Sequence, residues 1–169
     1  PVRLLPAVLP YEQLASLARP GPEGDRTRVP IAVDEADLQV VYADLEADPL
    51  LLVLGDSECG KTSVLRAIAS GLVTGNTPQT AKLIVVDYRR TMLGELTGDH
   101  LAGYAATETA LNPMIEHLVR ILDERMPGPD VTPEELRARS WWSGPRITLV
   151  VDDLDLVITG AGNPLAPLT

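Results

Sequence analysis

Eight consecutive residues, Gly55-Asp56-Ser57-Glu58-Cys59-Gly60-Lys61-Thr62, read GxxxxGK[ST] in full. Such a loop is suited to holding a chain of phosphates. Gly55 and Gly60 permit backbone angles that a side chain would forbid. The loop can then turn several backbone N–H groups toward one anion. A helix starting near Lys61 adds the partial positive charge of its N-terminus. Lys61 is expected to reach the β- and γ-phosphates, and the Thr62 hydroxyl to coordinate magnesium. The expected ligands are ATP and Mg2+, cradled by Gly55, Asp56, Ser57, Glu58, Cys59, Gly60, Lys61, Thr62 and Ser63. The Asp56 and Glu58 side chains should face solvent, because a phosphate would repel them. Cys59 reads as a small filler rather than a redox switch.

A second group of acids follows the aliphatic run Arg146–Val151, RITLVV. In an open parallel sheet, ligands sit at the carboxyl ends of the strands. Asp152 is placed there to hold magnesium through water. Asp153 is a candidate base for activating a water, one methylene shorter than the Glu many such enzymes use; it could equally cap the following turn. A base must come within about 2.6–3.2 Å of its water, so the shorter side chain is a handicap. Asp155 reads as a turn or surface residue. Asp87-Tyr88-Arg89-Arg90 ends another aliphatic run. It is read either as a contact to nucleotide or a neighbouring subunit, or, preferably, as a solvated loop with an internal Asp–Arg pair. His100 and His117 have no partner spacing. Trp141-Trp142 suit core packing, with a partner groove as the alternative.

These residues need elements to place them. Leu50–Leu54 is an aliphatic run that should form a buried strand into the phosphate loop, with a helix from Lys61 to about Gly71. Lys82–Asp87 (KLIVVD) is apolar at consecutive positions, as in a parallel sheet covered on both faces. Leu101–Ala105 and Arg146–Val151 complete the strands of this part. Thr107–Met126 has helical periodicity, with Leu111, Ile115, Leu118 and Leu122 on one face. Thr132-Pro133-Glu134-Glu135 is a capping-box start to a helix ending near Ser140. Upstream, the first twenty residues read as an extended piece and a short helix, Pro20–Pro30 as a loop, and Pro30–Val33 and Leu38–Tyr42 as short strands. Thr74–Thr80 and Thr91–His100 read as mobile loops. Strands alternating with helices, with the GxxxxGK[ST] loop between a strand and a helix, predict an α/β fold of the P-loop NTPase kind, a mostly parallel sheet flanked by helices. The sheet reads as incomplete at the C-terminus, and the 169 residues, beginning with Pro, read as part of a longer polypeptide. One module is expected over 1–169, with strands and linker in 1–49 and the nucleotide-binding core in 50–169.

Composition narrows the functions. Among 169 residues, 14 Lys and Arg face 24 Asp and Glu, a formal charge of −10. Only Lys61 and Lys82 are lysines. That field opposes generic nucleic-acid binding. A single cysteine makes no internal disulfide, and no Cys/His cluster suggests structural zinc. The longest apolar run has five residues, whereas a helical membrane span needs about twenty.

The loop GDSECGKTSVLR (55–66), LIVVDYRRT (83–91), MPGPDVTPEELRARSWWSGP (126–145), VVDDLDLV (150–157), GNPLAPL (162–168) and the opening VRLLPAVLPYEQL (2–14) together resemble the EccC ATPases of type VII (ESX) secretion, in the FtsK/SpoIIIE-like branch of P-loop ATPases. The resemblance implies a chain of three ATPase modules on the cytoplasmic side of the inner membrane, held there by an anchor elsewhere in the protein. It implies export of Esx/WXG100 proteins, whose C-terminal tail binds the last module. Second and third modules of the family tend to lose the catalytic acid, hold nucleotide and act in recognition and regulation. The Asp152–Asp153 pair fits such a module, and the ECGKT form of the loop suggests the third. The resulting expectation is an ATP-binding, weakly hydrolysing module, with neighbouring modules and the Esx tail as partners. A competent ATPase motor is the alternative, and a DNA translocase a lesser one.

Overall fold

The computed structural model describes residues 5–6, 8–18, 27–159 and 162–168. Residues 1–4 of the expected extended opening and residues 20–26 of the expected loop lie outside them. The chain divides into two compact units, Pro1–Thr77 with Gly94–Leu96, and Pro78–Leu93 with Thr97–Thr169.

The first unit holds helix α1 (Tyr11–Leu17), an antiparallel pair β1 (Arg28–Val33) and β2 (Val40–Asp44), and helix α2 (Lys61–Gly75). The acidic turn between the strands is built from its own side chains: the Asp34 carboxylate accepts the Ala36 N–H at 2.6 Å and that of Asp37 accepts the Gln39 N–H at 2.9 Å. Such Asx bonds are why Asp clusters at turns. The helix after the phosphate loop runs to Gly75, past the Gly71 at which it was expected to end. It buries Ile68, Ala69 and Leu72.

Gly71 explains its own place in that helix. A Cβ there would meet Val29 Cγ1 and the Tyr11 hydroxyl. The missing side chain therefore lets α2 lie close to β1, where Val29 is buried. Gly71→Ala should lower the melting temperature of this unit although Ala is the better helix former. The gain of about 1 kcal/mol in propensity is outweighed by an overpacking cost of about 1–3 kcal/mol. A thermal melt that rises instead would contradict the close packing.

One expectation for this unit is corrected. Leu50–Leu54 forms no strand, and Leu50 and Leu54 are 85% and 80% exposed. A strand is held by its neighbours' hydrogen bonds. The run joins neither the β1–β2 ladder nor the three-stranded sheet, so its leucines have no pleated surface to cover.

The second unit is a parallel sheet in the order β4-β3-β5, with β3 at Ala81–Val86, β4 at Leu101–Ala105 and β5 at Arg146–Val151. The central strand is buried at five of its six positions, all but Lys82, and on both faces, as the apolar run Leu83–Val86 requires. Helix α3 (Glu108–Glu124) follows β4 and packs Leu111, Ile115 and Leu118 with Ile84, Val86 and Ala105. Its N-terminus is set by Thr107, whose hydroxyl accepts the Ala110 N–H. Leu122, expected on the same stripe, is 48% exposed. Helix α4 (Pro133–Ala138) begins with the expected capping box: the Thr132 hydroxyl accepts the Glu135 N–H and the Glu135 carboxylate accepts the Thr132 N–H. A short helix α5 (Leu154–Val157) adds Val157 to the same core, and Leu165, just before a closing 3-10 turn (Ala166–Leu168), joins it. Among the described residues, no helix is long and apolar enough to cross a membrane.

Candidate functional site

The phosphate-loop residues lie in the first unit. Gly55, Asp56, Ser57, Glu58, Cys59 and Gly60 are exposed, as is Ser63, while Lys61 and Thr62 are half-buried at the start of α2. The loop takes left-handed backbone at Glu58 (φ 59°) and Gly60 (φ 95°). Gly60 is the N-cap of α2 and supplies no capping side chain. At the other end of the loop, a Cβ on Gly55 would collide with Cys59 Sγ. The two glycines therefore close the loop for two different reasons. The Lys61 ammonium folds back over it, donating to the carbonyls of Gly55 at 3.0 Å and Asp56 at 2.6 Å, with Cys59 Sγ at 4.0 Å. A cation held by neutral carbonyls is poised to exchange them for charged phosphate oxygens, which bind it more strongly. The residues present thus fit a nucleotide's phosphates. Thr62, in the same loop, offers a hard oxygen donor of the kind magnesium prefers; that ion usually takes one or two protein oxygens and completes its shell with phosphates and water.

The acids lie in the second unit, at the carboxyl edge of its sheet. Val86 of β3 and Val151 of β5 are in register, so the next residues, Asp87 and Asp152, emerge side by side. They are its two buried carboxylates among the described residues, 1% and 2% exposed. Thr91 Oγ1 lies 2.7 Å from Asp152 Oδ2 and 3.4 Å from Asp87 Oδ1, so its single proton goes to Asp152. Asp87 Oδ2 accepts the Met92 N–H and the Tyr104 O–H, each at 2.7 Å. Burial alone would raise the Asp87 pKa. The donors from Met92, Tyr104 and the backbone of Thr91 and Arg90 outweigh it and hold the carboxyl below its usual range. The Tyr104 hydroxyl, partly buried and donating to that carboxylate, is pushed up to about 12.

The expected Asp87–Arg pair is therefore corrected. Asp87 is buried and satisfied by uncharged donors, which avoids the desolvation of a guanidinium. Arg89 turns instead to Asp153, with Nε 3.0 Å from Oδ2. Asp153 is the N-cap residue of α5 with left-handed backbone (φ 49°), but its side chain makes no cap bond, which sets aside the capping alternative. Asp155 is exposed in the first turn of α5. Sequence reasoning missed Thr91 and Tyr104; the available signal was that two parallel neighbours both end in Asp.

Trp141 and Trp142 are half-buried. Trp141 Nε1 donates to the Arg125 carbonyl at 2.7 Å, and the Arg125 guanidinium lies 4.4 Å from the centre of a Trp142 ring. Beside them is an open recess of about 590 Å³, lined also by Met114, Leu118, Ile121 and Ile147. His117 borders it; His100 serves the fold through its carbonyl, which accepts the Leu83 N–H.

The FtsK/SpoIIIE family model matches residues 14–126, from α1 through the phosphate loop and both β3 and β4 to the end of α3. The chain belongs to the FtsK/SpoIIIE family. This FtsK/SpoIIIE chain is 48% identical over 168 residues to the ESX secretion system protein EccC of Thermomonospora curvata, and 44% identical over 168 residues to EccC4 of the ESX-4 system of Mycobacterium tuberculosis. Each alignment covers 99% of the chain, which spans 12% and 13% of the two relatives. The solved structure of ATPases 2 and 3 of the Thermomonospora curvata EccC, in complex with a signal sequence peptide, superposes with a TM-score of 0.87 at 47% identity, over 99% of this chain and 29% of that one. The P-loop ATPase fold and the homology to EccC ATPase domains of ESX secretion are thus established.

Proposed function

We propose that the 169 residues form one ATP-binding module of a type VII secretion ATPase, with residues 1–49 as its opening strands and linker and 50–169 as its nucleotide core. The observation that carries this reading is the Lys61 ammonium folded into its own glycine-closed loop, donating to carbonyls that a phosphate can displace. Gly55–Ser63 would cradle the phosphates, Thr62 and Asp152 would serve magnesium, and Asp153 would act as base. Bound magnesium would supply charge neutralisation at the phosphates. The module turns ATP over slowly: Asp153 replaces a longer Glu and is tied to Arg89. It works beside neighbouring modules on the cytoplasmic side of the inner membrane, attached there through the rest of its protein or complex.

The same module takes part in recognising the C-terminal tail of an Esx/WXG100 protein; the related EccC complex with a signal sequence peptide supports this. The recess beside Trp141 and Trp142 offers the apolar, partly open surface such a tail needs. Truncating a central aromatic anchor costs about 2 kcal/mol or more. Trp142→Ala should therefore weaken binding of a fluorescent tail peptide to the full-length protein at least about tenfold. Unchanged affinity would exclude the recess, and no binding by the unaltered protein would exclude recognition by this route.

A further inference from the structure

We propose that Arg89 is a positioning residue that restrains hydrolysis by occupying Asp153. The inference rests on the reading of Asp153 as the base and deepens it. Its starting point is the 3.0 Å pair between Arg89 Nε and Asp153 Oδ2. Both partners are held in place by structure at their backs. The segment carrying Arg89 is a tight turn: the Arg90 N–H bonds the Asp87 carbonyl, Arg90 takes left-handed backbone at φ 61°, and the Met92 N–H is held by the buried Asp87 carboxylate. Thr91, two residues from Arg89, is fastened to Asp152. The turn is thus tied at three points to the ends of β3 and β5, and Arg89 projects from a rigid base.

Asp153 is equally constrained. It follows the buried Asp152, whose N–H bonds the Val86 carbonyl of the neighbouring strand, and its left-handed backbone fixes where the carboxylate emerges. That backbone also bears on residue choice. Asp and Asn tolerate the left-handed region better than longer side chains do. A Glu at 153 would meet backbone strain as well as the pair with Arg89.

A carboxylate acting as base must aim a lone pair at its water. In Asp153, Oδ2 is already committed to a guanidinium, and the carboxyl group cannot reorient without breaking that bond. Arg89 is 60% exposed and Asp153 21%, so the contact is solvent-screened. Exposed pairs hold by a factor of about two to five. Release should therefore raise turnover by a similar factor, a modest restraint that another contact to the guanidinium would lift.

The test uses the full-length protein. Arg89→Gln should raise kcat about two- to fivefold with KM and the affinity for a fluorescent ATP analogue unchanged. Arg89→Lys, which keeps a cation, should stay closer to the original rate. The increment should vanish in an Asp153→Asn background. Independently of turnover, a double-mutant cycle on thermal stability between Arg89→Gln and Asp153→Asn should show favourable coupling. An unchanged or lower rate for Arg89→Gln, with Asp153→Asn still slowing hydrolysis, overturns the restraint and leaves the base assignment standing. If Asp153→Asn has no effect on rate, the base assignment fails and the restraint with it. Zero coupling in the cycle overturns the pair itself.

Discussion

Lys61→Ala should remove one MgATP site from the full-length protein, lowering affinity at that site at least about 100-fold. Lys61 carries the only side-chain positive charge in the Gly55–Ser63 loop. Its present partners, the carbonyls of Gly55 and Asp56, are neutral. Phosphate oxygens would replace them with charge-assisted bonds, each worth about 1.5–3 kcal/mol. Two such bonds exceed the 2.8 kcal/mol or so that a 100-fold loss represents. The fold should survive, because the ammonium is half-exposed and its removal leaves no buried polar group. Calorimetric titration with MgATP counts sites and measures affinity together. A full complement of sites with unchanged affinity would show that this loop holds no phosphate.

Asp87→Ala should be the most destabilising single change at the acid edge, by about 3 kcal/mol. The carboxylate is 1% exposed and accepts from the Met92 N–H and the Tyr104 O–H. Its loss strands a buried backbone donor and a partly buried hydroxyl and loosens the turn that carries Arg89. The melting temperature should fall by about 6–12 °C for a domain of this size. The pH dependence has a definite sign. The folded pKa of Asp87 is depressed, so its contribution is fully present above the unfolded value of about 4 and lost as pH falls through the folded one. Tyr104 works in the opposite direction: its pKa is raised, so its contribution is present below about 10 and lost as pH rises toward about 12. Asp87→Asn should lack the acid-side loss. An unaltered acid limb in Asp87→Asn, or a melt unmoved by Asp87→Ala, would contradict the role given to this carboxylate.

Much of the second unit was legible because its signals are local. KLIVVD announces a strand buried on both faces, and Thr132 with Glu135 announces a helix start, each within a few residues. The glycine-bounded turn before α2 and the helix start after it were legible for the same reason. What escaped depends on partners distant in sequence. Thr91 reaches Asp152 across 61 positions, and Arg89 reaches Asp153 rather than its sequence neighbour Asp87. Burial decided the latter: Asp87 lies under the sheet edge where N–H and O–H donors serve at lower desolvation cost than a guanidinium. Leu50–Leu54 shows the converse error. Five apolar residues indicate a tendency to be buried, but a strand also requires an edge to join, and that is a property of the sheet. Leu122 shows the same limit: its place on the apolar stripe did not bury it, and it is 48% exposed.

The most direct test of the central claim is the nucleotide carried by the protein itself. Full-length protein and its Lys61→Ala variant would be incubated with MgATP, stripped of free nucleotide, denatured, and their ATP and ADP separated by chromatography. A slow ATP-holding module requires the unaltered protein to carry about one more nucleotide per chain than the variant, with that difference mainly ATP. Equal content in the two proteins would contradict nucleotide binding by Gly55–Ser63, and a difference made up of ADP would contradict slow turnover.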